Sequence, residues 1–222
     1  MINLPYKLLV FDWDGTLMDS EARIVSCLAM SLQDMGRPVP PRQALLNVIG
    51  LGLPEVAHAL LPHGDVDGVR QFVDRYRYHF LSDHYEPANL FPGALDTLRQ
   101  LDGQGFLLGV ATGKGRRGLD EILERAECQG IFAVTRCADE TASKPNPRML
   151  MEVMDVAGVG PADTLMIGDT VFDMQLARNA GTRALGVSYG VQPAERLLAE
   201  GAIDCIDEIG AIVSWLANPV AP

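Results

Sequence analysis

The chain has 222 residues, of which 48% are hydrophobic and 21% charged, a globular composition that excludes disorder and collagen-like repeats. That length allows one sizeable domain or a domain carrying an insertion. The 29 Asp and Glu outweigh the 18 Lys and Arg for a formal charge of -11. Such a surface repels polyanions, which argues against nucleic acid or anionic membrane as a partner and leaves room for a small anion held by local cations and a metal.

In chain order, residues 7–11 form a continuous apolar run of strand formers ending at Asp12, the pattern of a buried parallel strand. The run is too short, and too quickly closed by Asp12 and Asp14, for a signal peptide or a spanning helix, so a cytoplasmic protein is expected. From Ser20 to His84 only helical patterns occur, over residues 22–35, 54–61 and 66–81. A block of this length between strands reads as an insertion with its own small core. It leaves near residues 17–20 and returns through a linker marked by Pro87 and Pro92. Pro92 and Gly93 then open a helix carrying Leu95, Leu98 and Leu101.

Strands follow at residues 106–111, ending at Thr112, and at 164–167, ending at Gly168 and Asp169, with weaker ones at 132–135, 183–187 and 202–206. Helical stretches alternate with them at 116–126, 147–156, 172–180, 194–199 and 207–216. Strands alternating with helices predict an α/β fold, a doubly wound parallel sheet with right-handed crossovers. Cys27, Cys128, Cys137 and Cys205 lack C-x-x-C spacing and histidine neighbours, so they read as reduced, mostly buried thiols.

Ligands of open parallel sheets bind beyond the carboxyl ends of the strands, where the winding reverses. Asp12, Asp14, Thr112 and Asp169 stand at such ends, Asp173 lies one turn further, and Lys144 precedes the helix at Pro147. Four carboxylates (Asp12, Asp14, Asp169 and Asp173) would then share one cleft. Two like charges ~4 Å apart repel by ~4 kcal/mol at an effective dielectric of ~20, so holding them ionised requires a cation. All-oxygen ligands suit a hard ion such as Mg²⁺, which keeps positions open for substrate phosphate oxygens. Phosphoryl transfer fits that arrangement. Asp12 can act as nucleophile, Asp14 as acid and then base, and Lys144 as phosphoryl clamp, with hydrogen bonds from Thr112 and the Gly113 amide.

With these residues in order, the sequence resembles the haloacid dehalogenase superfamily, in particular its phosphoglycolate-phosphatase-like group. Asp12-Trp-Asp-Gly-Thr16 looks like the first motif, Thr112 the second, Ser143-Lys-Pro145 the third and Gly168-Asp-Thr-Val-Phe-Asp173 the fourth. Phe91-Pro-Gly93 looks like the re-entry from a cap. The resemblance implies a Rossmann-like catalytic core of residues 1–16 and 89–222 with an α-helical cap of residues 17–88. It also implies an Mg²⁺-dependent phosphatase acting on a small phosphorylated metabolite, as monomer or homodimer. The Asp12 and Asp169 side chains and the Asp14 carbonyl would bind the ion, while Asp173 either reaches it or orients its neighbours. Asp14 argues against a dehalogenase, whose halide leaving group needs no proton. The absence of lysine from residues 17–88 argues against a phosphonatase, which uses a cap lysine.

Other readings of the same residues are weaker. In Asp12-Trp-Asp-Gly15 the glycine comes too early for a calcium loop, and a strand precedes it. The run from Gly109 to Lys114 is one residue short of a P-loop, and Gly50-Leu-Gly52-Leu-Pro-Glu55 lacks the last glycine of a dinucleotide fingerprint. A sugar-phosphate mutase, an inorganic pyrophosphatase and a non-enzymatic phospho-acceptor module remain alternatives. Lys114, Arg116 and Arg117 read as solvated charges, His58, His63, His79 and His84 as surface or cap-core residues, and Met149, Met151 and Met154 as packing. The loop from Asn47 to Glu55, with only Arg42 nearby for charge, is either a plain turn or a segment reaching over the site.

Overall fold

The computed structural model describes residues 6–81 and 88–218; His84 and Pro87 lie outside them. Strand β1 (Leu8–Phe11) is buried along its whole length and sits at the centre of a six-stranded parallel sheet. Its other strands are β4 (Leu107–Thr112), β5 (Val134–Cys137), β6 (Thr164–Gly168), β7 (Arg183–Val187) and β8 (Ala202–Ile206). The order β5-β4-β1-β6-β7-β8 runs one way from β1 to β5 and the other way from β6 to β8. The reversal falls at the end of β1.

Side-chain alternation along β1 feeds two cores. Leu9 and Phe11 join one apolar cluster with Leu98 and Ile212, while Leu8 and Val10 join another with Leu150 and Met174. These clusters bury the inner faces of α5 (Ala94–Gly103) and α10 (Ala211–Ala217) on one side and of α7 (Arg148–Ala157) and α8 (Val171–Ala180) on the other. Helices α6 (Arg116–Arg125) and α9 (Ala194–Ala199) complete the crossovers.

Between β1 and α5 the chain forms α1 (Glu21–Asp34), α2 (Arg42–Leu46), α3 (Leu53–Leu60) and α4 (Val66–Leu81). On α1 the buried positions Ile24, Cys27, Leu28, Ser31 and Leu32 recur at three- and four-residue steps, the stripe of an amphipathic helix. Ile24, Leu28 and Leu32 meet Leu45, Val56 and Phe72 in a third apolar cluster. A two-stranded antiparallel ribbon, β2 (Met18–Asp19) with β3 (Asn89–Leu90), lies where this helical segment leaves and rejoins the sheet. No helix among the described residues is long and apolar enough to cross a membrane.

Several boundaries differ from expectation. Strand β5 starts at Val134 rather than 132, because its parallel pairing begins at Gly109↔Val134 and not where the apolar run begins. Helix α10 starts at Ala211, since 207–210 are bends and turn around Gly210. The five-residue α2 and the two-residue ribbon strands are too short to show a periodicity. Met149 and Met154 are buried, but Met151 is 48% exposed, on the outer face of α7. Among the described residues the four cysteines are free, three of them buried.

Phe72 is fully buried in the helical cluster, so Phe72→Ala should cost about 3–5 kcal/mol by removing apolar area and leaving a cavity. Urea unfolding followed by helical circular dichroism checks this; a loss below about 1 kcal/mol would contradict the packing described.

Candidate active site

Parallel register brings the strand ends level. Phe11 stands opposite Val110 of β4 and Ile167 of β6, so Asp12, Thr112 and Asp169 emerge side by side at the reversal point. Lys144 arrives from the loop between β5 and α7 and is 1% exposed. Its ammonium lies 2.9 Å from Asp12 Oδ1 and 2.6 Å from Asp173 Oδ1. The carboxylate oxygens of Asp12, Asp169 and Asp173 come within 4.8 Å of one another.

Each of the three is held differently. Asp12 Oδ1 also accepts from the Trp13 amide at 2.6 Å, whereas Oδ2 is buried with no hydrogen-bond partner among the described residues. Asp169 Oδ1 accepts from the Thr16 hydroxyl at 2.8 Å and Oδ2 from the Val191 amide at 2.9 Å. Asp173 Oδ2 accepts from the Thr170 hydroxyl and amide, closing a capping box at the start of α8. Asp173 therefore has one oxygen on a helix terminus and the other on Lys144.

With all three ionised, one ammonium would leave two negative charges uncompensated. Burial pushes Asp12 up to about 7, against the opposing pull of Lys144 and with help from Asp173 and Asp14. Burial also raises Asp169 well above the usual carboxylate range, reinforced by Asp12 and Asp173. For Lys144 burial acts downward, but attraction to Asp12 and Asp173 outweighs it and raises the ammonium. An unpaired buried oxygen, a triad of oxygen donors and a deficit of positive charge fit a hard divalent cation. Two glycines make room for the triad: a Cβ on Gly15, whose φ is +80°, would fall 2.1 Å from Asp169 Oδ2, and one on Gly190 would fall 2.4 Å from Asp169 Cβ.

The Asp14 carboxylate stands apart from the other three. It accepts from Ser20 Oγ at 2.6 Å and takes both 2.9 Å contacts from Lys114 Nζ, so four carboxylates around one point become three. Lys114 is not a solvated charge: its side chain is 8% exposed and its ammonium lies 4.6 Å from the centroid of the Phe80 ring. Arg116 is also engaged, with Asp120, Glu140 and Thr135. Arg117, 80% exposed beside Glu121, matches the solvated expectation. Thr112 is buried and accepts from the Lys114 amide.

The loop from Asn47 to Glu55 lies against the motif loops and is more than a turn. The Gly52 amide donates to Ser143 Oγ at 2.7 Å. A Cβ on Gly113 would come 2.5 Å from the Leu51 carbonyl oxygen, and one on Gly50 2.9 Å from Thr170 Oγ1. Arg42 is turned away, paired with Glu21. Beside this seam a cavity of about 370 Å³ is lined by Asp12, Asp14, Thr112 and Gly113 and by apolar residues of α1, α3 and α4. His58 and His63 are exposed, while His79 is half-buried and bonds Asp34.

Sequence reading missed Lys114, Thr16, Thr170, Val191 and Gly190. Thr170 carried a signal, since Thr-x-x-Asp at a helix start predicts the capping box. Lys114 directly follows the Thr112-Gly113 pair, a position that alone does not separate an engaged lysine from a solvated one. Val191 acts through its amide, which leaves no trace in side-chain chemistry.

A family model described as haloacid dehalogenase-like hydrolase matches residues 9–187. A Dickeya dadantii protein named "Probable phosphatase IndB" is 34% identical over 93% of this chain and 91% of its own length. A phosphoglycolate phosphatase of Pseudomonas putida is 30% identical over 96% of this chain and 80% of its own. The crystal structure of a hydrolase from Pseudomonas syringae superposes with a TM-score of 0.87 at 20% identity, covering 98% of this chain and all of the other.

An Asp12 raised to about 7 from 3.8 means that the folded protein binds its proton more tightly than the unfolded chain. The stability this proton confers is full below the unfolded value and is lost as pH rises through the folded one. Chelator-treated protein should therefore unfold at lower urea at about pH 8 than at about pH 5.5, and Asp12→Asn should narrow the difference. Higher stability of the native chain at the higher pH would contradict this electrostatic balance.

Proposed function

The chain belongs to the haloacid dehalogenase-like hydrolases, and from that premise we propose that it is a Mg²⁺-dependent phosphatase of small organic phosphate monoesters working through an aspartyl-phosphate on Asp12. The observation that carries this reading is the buried, unpartnered Oδ2 of Asp12 beside Asp169 and Asp173. Names of relatives such as phosphoglycolate phosphatase support the same reaction class. On this reading residues 1–16 and 89–222 are the catalytic core and residues 17–88 the cap.

Asp12 and Asp169, with the Asp14 carbonyl, would hold the ion. When bound, Mg²⁺ neutralises charge on the carboxylates and on the phosphoryl oxygens. Lys144 opposes the effect of burial by favouring the ionised form of Asp12, and aims it, since its 2.9 Å contact fixes one carboxylate oxygen. Asp173, the third member of the triad, also anchors Lys144. A carboxylate oxygen of Asp12 attacks phosphorus and the ester P–O bond breaks. Asp14 gives its proton to the departing alkoxide. A water then attacks the aspartyl-phosphate, Asp14 takes a proton from it, and the P–O bond to Asp12 breaks to release inorganic phosphate.

The second half-reaction requires an unprotonated Asp14, held beside Lys114. The first requires a proton on Asp14 and a loosened Lys114 contact. Thr112 Oγ1 and the Gly113 amide would donate to the transferring phosphoryl group. The seam between residues 50–52 and the loops at Gly113, Ser143 and Thr170 would exclude water while the covalent species exists.

Phosphate release from a panel of esters should stop on chelation and return with Mg²⁺. Asp12→Asn should abolish turnover, and Asp14→Asn should lower kcat by roughly 10²–10⁴. Release by Asp12→Asn near the native rate would sink the mechanism, and return of the phosphoryl group to a sugar without free phosphate would favour a mutase.

A further inference from the structure

Resting on the phosphatase reading, we propose that the leaving group is an apolar alcohol, so that the substrate is a phosphate monoester with an uncharged, largely hydrocarbon body. The cavity of about 370 Å³ that meets Asp12, Asp14 and Thr112 continues along Ile24, Leu28, Val48, Ile49, Leu53 and Phe80. A dry cavity of roughly 150 Å³ is enough for benzene. The space beyond the phosphoryl position therefore exceeds what a two-carbon acid fills and accepts a ring or a branched chain.

The charges around this wall select against an acid. Of the cations lining the cavity, Lys114 meets the reacting end, and its ammonium already makes two contacts to Asp14 and one to the Phe80 ring. Arg77 and Arg117, which also line the cavity, are exposed, so their charge stays in water. The other charged liners, Asp12, Asp14 and Asp139, are acidic and offer an anion no partner. The lining cations are thus either paired, as Lys114 and Arg117 are, or exposed to water, as Arg77 is. A carboxylate buried there would lose hydration without meeting a buried, unpaired cation of the cavity wall, whereas a hydrocarbon body gains from leaving water.

Initial rates of phosphate release in Mg²⁺ test this with benzyl phosphate, glycerol 3-phosphate and 2-phosphoglycolate, all of which leave as alkoxides of similar intrinsic reactivity. The native chain should show kcat/KM for benzyl phosphate at least about tenfold above the other two. In Leu53→Arg, at a half-buried position, the preference should fall by about tenfold or more in favour of 2-phosphoglycolate; a folded variant with an unchanged preference would count against the assignment. If that variant does not fold, the native ranking still decides. Preference of the native chain for 2-phosphoglycolate or glycerol 3-phosphate would overturn the leaving-group assignment and leave the phosphatase reading standing. No phosphate from any ester, under conditions that preserve the fold, would overturn both.

Discussion

Lys144 lies fully buried between Asp12 and Asp173, with Asp169 beside them, and the surrounding structure is arranged to hold this one ammonium and three acids out of water. Removing charges from water costs several kcal/mol per ion, and a buried pair recovers that only with good geometry and further hydrogen bonds. The hydrogen bonds are supplied from every side: the Trp13 amide to Asp12, Thr16 and the Val191 amide to Asp169, Thr170 to Asp173. Asp12 Oδ2 alone in the triad has none among the described residues. On the proposed reading, that oxygen in an otherwise well-satisfied site is where the missing positive charge would sit.

The helical segment between β1 and α5 takes part in the same geometry. It has its own apolar cluster, yet its loop at residues 50–52 sits so close to the motif loops that a single Cβ at Gly113 would collide with the Leu51 carbonyl. Lys114 and Phe80 extend the contact, joining a loop beyond β4 to the last turn of α4. Charge is thereby concentrated at one end of the cavity and apolar surface at the other. On the proposed reading, chemistry and selection are separated along a single cleft.

Much of this was legible in the sequence because it is written in side chains at strand ends. The run Leu8–Phe11 closed by Asp12, and the corresponding runs before Thr112 and Asp169, announce a parallel sheet and its binding edge together. The helices over 22–35, 54–61 and 66–81 followed from periodicity, within one or two residues of α1, α3 and α4. Backbone contacts were not legible: the Val191 amide on Asp169, the Gly190 approach and the register that delays β5 to Val134 depend on chain neighbours distant in sequence. Lys114 shows the limit most clearly. Its role depends on Asp14, 100 residues away, and on an aromatic ring of the inserted helices, and neither adjacency has a local signature.

Anomalous scattering from a crystal soaked in Mn²⁺, a spectroscopically heavier stand-in for Mg²⁺, tests the central charge balance most directly. A single strong peak in contact with Asp12 Oδ2 and the Asp169 carboxylate, with Lys144 still between Asp12 and Asp173, is the predicted result. An empty triad with ions bound only at surface carboxylates would contradict it.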